Sequence, residues 1–372
     1  MLRKLLPPSL LSAAVALSTA TAPAQGAPGF NQPTPAGIQT TPGTSAQQPP
    51  APAQPQPQPV AADERLHVIN GIAARLKDSY VLPEMAQRLV DTLETHQKQG
   101  DYNDITNGVF LAARLTADLQ SVSLDRHLRI EFSASTLPPE EGGPSAGEEQ
   151  QYRKELERSN CGFQRAEILP GNIGYVQISY FGAPDACAST AAATMKFVSH
   201  TDAVIFDIRQ NHGGDPSMVA LLASYLFDRP THLDDLYNRH ENKTTQYWAK
   251  PEKVSDRMPS QPVYVLTSRF SYSGAEQFCY DLHNLGRATL IGEKTGGAAH
   301  PTRNRRLSDH FLIAMPEYRY INSITRTDWE GQGVTPDVPA APWNALQLAQ
   351  KLALAKVQHS TTPQPELTTA SR

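Results

Sequence analysis

Two short stretches carry residue types arranged for chemistry. The first is Ala203-Val204-Ile205-Phe206-Asp207-Ile208-Arg209-Gln210-Asn211-His212-Gly213-Gly214, an apolar strand pattern that runs into a Gly-Gly turn before a helix starting near Asp215. Adjacent glycines let a backbone approach a ligand closely, and a helix N-terminus offers unpaired N–H groups to an anion, so this turn suits a phosphate or a developing oxyanion. Neither GxGxxG nor GxxxxGK[ST] is present, which weakens the phosphate reading. The second stretch is Val263-Tyr264-Val265-Leu266-Thr267-Ser268-Arg269-Phe270-Ser271-Tyr272-Ser273-Gly274-Ala275-Glu276-Gln277-Phe278, where a strand ends, a serine-rich turn follows and a helix begins at about Gly274. A serine in that place is very often only a helix cap. As a nucleophile it would have the N–H of Gly274 one residue later as an oxyanion donor. This strand-to-helix turn lacks the GxSxG elbow, so an α/β-hydrolase is not supported.

The elements that must position these turns follow from apolar spacing. Between 63 and about 123 the spacing is three to four residues (Leu66, Ile69, Ile72, Leu76; Met85, Leu89, Leu93; Leu111, Leu115, Leu119), punctuated by Pro83 and Gly100-Asp101, which reads as three amphipathic helices. After a Pro/Glu/Gly cluster at 138–147 and a charged segment at 148–158, the pattern changes to short β-rich runs at 173–178, 203–208, 262–267, 288–292 and 311–315. Helical stretches at 189–198, 216–227 and 274–285 lie among them. Such alternation means a layered α/β domain with sites where strands run into helices, here preceded by a small three-helix domain.

The ends differ in kind. Arg3 and Lys4 precede an Ala/Leu-rich stretch that closes on Ala22-Pro23-Ala24, so 1–24 reads as a secretory signal removed near Ala24. Residues 25–62 hold no Asp, Glu, Lys or Arg and ten of the 31 prolines, the composition of an extended, disordered tether. The expected organisation is therefore a helical domain at 63–135, a connector at 136–160, an α/β core at 161–358 that ends in a helix from Trp343 to Val357, and a frayed tail at 359–372. With 33 basic against 37 acidic residues, nothing points to nucleic acid, and no apolar run of about twenty residues after residue 60 would span a membrane. Three cysteines without CxxC, and the absence of HExxH, argue against a zinc site, and no cofactor is implied. Cys161 and Cys187 flank the first strands of the core, and in an oxidising compartment a bridge between them would close a loop worth roughly 3 kcal/mol. Cys279 reads as a buried thiol.

Four ordered motifs carry a resemblance: Asp207 to Gly214, Ser271-Tyr272-Ser273-Gly274-Ala275-Glu276, Gly286-Arg287-Ala288 with Gly292-Glu293-Lys294-Thr295-Gly296-Gly297, and Gly331-Gln332-Gly333-Val334-Thr335-Pro336-Asp337. Together they resemble the tail-specific (C-terminal processing) serine protease family, closest to the branch without a PDZ domain that includes the interphotoreceptor retinoid-binding protein repeats and the tricorn core protease. Tyr80-Val81-Leu82-Pro83-Glu84 and Leu124-Asp125-Arg126-His127-Leu128 extend the resemblance over 65–357.

The resemblance implies a crotonase/ClpP-like core and an endopeptidase or carboxy-terminal processing activity on peptide or protein substrates, which the signal segment would place in a secreted or periplasmic setting. It implies Ser273, three residues before Glu276, as nucleophile, with Ser271 as runner-up. The family's general-base lysine position holds Ala298, and Lys294 nearby reads as a surface residue. In the tricorn-like branch a histidine replaces that lysine, and His127 matches it; Glu330 matches the glutamate that orients the site, although Arg126 stands where that branch has a serine. The N–H groups of Gly274 and of Gly213 or Gly214 are the implied oxyanion donors. His300, with Gly296 and Gly297, lies on a loop expected to bind substrate, and His300 is also an alternative base, whereas His212 reads as positional. Two other functions stay open: an apolar-ligand (retinoid or fatty-acid) binding protein on the same fold, and an esterase-like acyl hydrolase.

Overall fold

Leucines three and four positions apart close the first unit. The computed structural model describes residues 59–139 and 145–361, the side chains of 359–361 excepted; the expected signal segment, almost all of the tether and most of the tail fall outside the described residues. Helix α1 (Ala62–Ser79) buries Val68, Ile69, Ile72 and Leu76. A proline at its first position starts α2 (Pro83–Gln99), and Gly100, at φ 81°, ends it in the left-handed conformation that glycine tolerates. The Asn107 side chain accepts from the Phe110 N–H and so caps α3 (Gly108–Ser123). Strand β1 (Arg129–Phe132) follows.

Helix α4 (Ala146–Arg158) occupies part of the expected connector. Only Leu156 on it is buried, so it carries no apolar period, but Ser145 and Glu148 form the capping box that starts it. Chain order then runs β2 (Phe163–Leu169), β3 (Ile173–Ile178), α5 (Pro184–Val198), β4 (Ala203–Asp207), α6 (Pro216–Ser224), β5 (Thr231–Asn238), β6 (Lys243–Ala249), β7 (Val263–Thr267) and α7 (Gly274–Asn284). The rest is β8 (Ala288–Gly292), β9 (Thr302–Arg306), β10 (Phe311–Pro316), β11 (Tyr318–Asn322), β12 (Val338–Pro339) and α8 (Pro342–Thr361). None of the described helices is long and apolar enough to cross a membrane.

The main sheet has the order β12-β8-β7-β4-β3-β2, with every pair parallel except β2 and β3. Its central strands are apolar on both faces, as a sheet covered on two sides must be. Val204, Phe206, Val263 and Val265 join the core of α5, α6 and α7, while Ile205, Tyr264 and Leu266 meet Ala345, Ala349 and Ala353 of α8. A second, antiparallel sheet of order β11-β5-β6 was not legible in the apolar pattern.

The third sheet corrects the expected division of the chain. The 311–315 strand, assigned from sequence to the α/β core, pairs through β10 with β1 in register Arg129↔Ala314 to Phe132↔Phe311, and with β9 on its other edge. Phe311, Ile313 and Met315 complete one cluster with the leucines of α1, α2 and α3. A bundle of about sixty residues buries too little by itself, and a hairpin from some 180 positions later supplies the missing face.

Cys161 and Cys187 are bridged, with Cα atoms 5.6 Å apart, and Cys279 is a buried free thiol that burial pushes well above its usual pKa. Beneath α7 lie two buried carboxyls. Gln277 Nε2 donates to Asp234 Oδ2 (2.8 Å) and Asn322 Nδ2 to Asp281 Oδ1 (2.8 Å), leaving Asp234 Oδ1 and Asp281 Oδ2 without a hydrogen-bond partner. One proton held between those oxygens satisfies both, and burial raises both pKa values, Asp281 the more strongly. A carboxyl whose folded pKa is raised loses stability as pH climbs from its unfolded value toward the folded one. Asp281→Asn keeps the shape and supplies a donor without a charge. It is expected to raise stability at pH 8 by about 1 kcal/mol and to leave it unchanged near pH 4, as read by urea melts at the two pH values.

Candidate active site

The two turns singled out in the sequence come together because β4 and β7 are adjacent parallel strands, Asp207 opposite Leu266, so both chains leave the sheet at its carboxyl edge. Side chains stitch the turns. Ser271 Oγ donates to Ile208 O (2.8 Å) and accepts from the Ser268 N–H (3.0 Å), Ser268 Oγ donates to Arg209 O (2.5 Å), and the Tyr272 N–H donates to Asn211 O (3.0 Å). Ser271 is fully buried with its hydroxyl spent on the turn, so it is a structural residue. Arg209 clamps Asp207 through Nε (2.9 Å) and Nη2 (2.6 Å), and Tyr175 Oη donates to the same carboxylate (2.7 Å), which fixes the end of β4.

Ser273 sits at the N-cap of α7 with φ 53° and ψ −120°. An ordinary capping serine is extended, so a cap alone gives no reason for a conformation that costs a non-glycine residue about 1–3 kcal/mol. Glu276 enforces it. Its Oε2 accepts from the Ser273 N–H (3.0 Å) and the Ala298 N–H (2.9 Å), and its Oε1 accepts from Thr295 Oγ1 (2.5 Å) and the Gly297 N–H (2.6 Å).

The Gly-Gly turn resolves an alternative. The Gly213 N–H donates to Asn211 Oδ1 (2.8 Å) and its carbonyl accepts from Phe181, whereas the N–H groups of Gly214 and Gly274 have no acceptor among the described residues. A Cβ on Gly274 would stand 3.1 Å from the Gly214 nitrogen, so the two free N–H groups are neighbours beside Ser273. A Cβ on Gly213 would come within 2.8 Å of the Ser273 Cβ, and one on Gly214 within 2.2 Å of the Phe181 carbonyl oxygen. Gly214→Ala, at φ 137°, is expected to lower turnover by about 10²-fold or more and to lower the melting temperature, checked by rate assays and calorimetry.

His127 reaches the site from the turn between α3 and β1. Its ring stands edge-on to Tyr272 at 5.2 Å, on the residue before Ser273, while the Arg126 guanidinium lies over the same tyrosine at 5.9 Å. The imidazole is half-buried, its Nδ1 is covered and unpartnered, and burial pushes its pKa down to about 4 against the opposing pull of Asp125.

His300 is placed otherwise than the sequence allowed. It is buried, with Nδ1 3.1 Å from Asp125 Oδ2 and 3.7 Å from Glu330 Oε2, and with Nε2 3.8 Å from Asp328 Oδ2. Burial pulls its pKa down, but the bonds to Asp125 and Asp328 and the charge of Glu330 outweigh burial and raise it to about 10. Buried and hydrogen-bonded to Asp125, with its pKa raised, His300 is poorly suited to take a proton at neutral pH. Glu330 accepts from the Ala299 N–H (2.5 Å), and its other oxygen is buried without a partner; burial, then the charge of Asp125, raises it to about 8. It therefore reaches His300 rather than His127. Asp125, His300 and Glu330 each offer one ligand-type atom within 4.8 Å of the others, the grouping among the described residues with metal-like spacing.

The loop expected to bind substrate is instead pinned. Gly297 and Ala298 hang on Glu276, the Gly297 carbonyl accepts from the Gly331 N–H (3.0 Å), and the Gly296 N–H donates to Ser271 O (3.0 Å). Lys294 and His212 are exposed. Sequence reasoning gave no role to Tyr80, Asp125 or Asn211: the Tyr80–Asp125 and Asp125–His300 bonds span 45 and 175 residues, while Asn211 acts on Gly213 only two positions on.

A strained serine, two free N–H groups and a neutral imidazole at the carboxyl edge of a parallel sheet are the parts that covalent acyl chemistry requires. Residues 172–340 match the family model for Peptidase family S41, and residues 62–159 match that for the N-terminal domain of Peptidase_S41 in eukaryotic IRBP. The chain belongs to the S41 peptidase family, the tail-specific proteases. It is 23% identical over 176 residues to the carboxy-terminal processing protease CtpA of Bacillus subtilis, covering 47% of this chain and 36% of that protein. It is 25% identical over 175 residues to the tricorn protease of Thermoplasma volcanium, 46% of this chain and 15% of that one, so it spans only about a third of CtpA and less of tricorn. Its fold is shared with a putative peptidase of Parabacteroides merdae, with a TM-score of 0.58, 18% identity, and coverage of 80% of this chain and 99% of that structure.

Proposed function

We propose that the protein is an exported serine peptidase with Ser273 as nucleophile, His127 as general base and the N–H groups of Gly214 and Gly274 as the oxyanion hole. The hydroxyl proton of Ser273 passes to His127 as Oγ bonds to the peptide carbonyl carbon. The carbonyl oxygen takes the negative charge between the two N–H groups, and the C–N bond then breaks as His127 returns the proton to the leaving amine. Water, deprotonated by the same histidine, releases the acyl group. The observation that carries this reading is the enforced backbone of Ser273 beside two unpaired glycine N–H groups. The Cys161–Cys187 bridge supports an oxidising destination, and hence export. The catalytic pair resembles the tricorn-like arrangement more than the serine–lysine one, since Ala298 is buried where the lysine would stand.

The test is mass spectrometry of casein or peptide-library digests by the purified chain from Gln25 onward. Cleavage at defined bonds is expected. Intact peptides together with saturable fatty-acid or retinoid binding would replace this reading with a carrier function.

A further inference from the structure

We propose that Asp125 and His300 form a buried latch that holds the base, His127, in register with Ser273, so that both are positioning residues for the reaction. The inference rests on the assignment of His127 and Ser273 as base and nucleophile.

The two catalytic groups stand on different elements, far apart in the chain. Ser273 belongs to the turn after β7, and His127 to the turn between α3 and β1, which is built on the helices. Hydrogen bonds nevertheless run from one to the other through four consecutive residues. Glu276 Oε2 takes the N–H of Ser273 and of Ala298. The Ala299 N–H reaches Glu330 Oε2. His300 Nδ1 then meets Asp125 Oδ2, and Asp125 Oδ1 accepts the His127 N–H at 3.0 Å. Residues 297–300 thus act as a ruler, with the nucleophile's helix at one end and the base's turn at the other. Tyr80 Oη donates to Asp125 Oδ2 (3.1 Å) and pins the same carboxylate to the end of α1.

The pairing is built to be charged. Asp125 and His300 are both almost wholly covered, and an unpaired charge on either would be costly to hold there. The titratable groups facing His300 are Asp125, Glu330, Asp328 and, across Asp125, His127, with Tyr80 behind Asp125; the guanidinium groups of Arg126 and Arg129 act on His127, and among the described residues His300 is the cation paired directly with these carboxyls. Removing the charge of His300 leaves Asp125 buried without its nearest counter-charge, and removing that of Asp125 breaks the shortest pairing at Nδ1 although Glu330 and Asp328 still face the ring; either change releases the turn that carries His127.

Two measurements test the latch. Nitrogen NMR of the histidine-labelled full chain should show His300 doubly protonated from pH 6 to pH 9, with that signal lost in Asp125→Asn. A neutral His300 at pH 8 overturns the proposal whatever the activity. In peptide assays, Asp125→Asn and His300→Gln should each lower kcat about 10- to 100-fold with KM within about twofold, the loss expected when a general base is misplaced. The same substitutions in a His127→Ala background should cost nothing further. Equal losses in both backgrounds mean a merely structural role and overturn the latch. A wild-type chain that cleaves nothing overturns the peptidase assignment and the latch's catalytic part with it. Cleavage that Ser273→Ala abolishes but Asp125→Asn leaves unchanged overturns the latch alone.

Discussion

Ser273→Ala should lose at least about 10³-fold in peptide turnover while its far-ultraviolet spectrum and melting temperature stay those of the parent. Alanine keeps the Cβ and so keeps the strain of φ 53°, which isolates the hydroxyl. Ser273→Gly makes the complementary point. It removes the same nucleophile but relaxes the backbone, so it should be equally inactive and more stable by roughly 1 kcal/mol. An inactive variant that is more stable than the parent identifies a position where conformation is held for chemistry. If turnover survives in both variants, Ser273 is only a helix cap.

The second large effect concerns which histidine accepts the proton. His127→Gln should lower turnover on the order of 10³-fold, and the pH profile separates it from His300 without mutation. A general base works only when deprotonated. With the His127 imidazole held near 4 by burial, kcat/KM should be level from about pH 6 to pH 8 and fall only as the pH drops toward 4. Were His300 the base, held near 10 by its carboxylate neighbours, the rate would climb tenfold per pH unit across that same range. A rate that still climbs tenfold per unit through pH 8 would therefore assign the proton to His300, whereas a profile that levels by pH 8 keeps it on His127.

Both turns of the site were legible because their signals are local. An apolar strand that ends in Gly213-Gly214, and one that ends in Ser271-Tyr272-Ser273-Gly274, announce a strand-to-helix junction within a dozen residues. What the sequence left ambiguous was decided by side-chain contacts, most of them across long separations. Gly213 is excluded as a donor by the side chain of Asn211, two residues before it, and Ser271 by Ile208, 63 positions away. His300 looked like a loop residue because its partner, Asp125, lies 175 residues earlier. Strand β5 escaped notice since it buries Asp234 and Asp235 where an apolar alternation was sought, and α4 since a single buried leucine makes no period. The strand at 311–315 was found, but periodicity reports that a segment is a strand and never which sheet receives it.

That last strand has a consequence for biosynthesis. The helices at the start of the chain stay without their covering sheet until β9 and β10 have been made, and His127 lies on the link between those helices and β1. During synthesis from the amino terminus, the turn that carries the base has no fixed seat until the polypeptide extends past residue 316. Ser273 is made some forty residues sooner. Nucleophile and base are thus brought together by one of the last segments to emerge, and a nascent or prematurely ended chain carries a serine that nothing deprotonates.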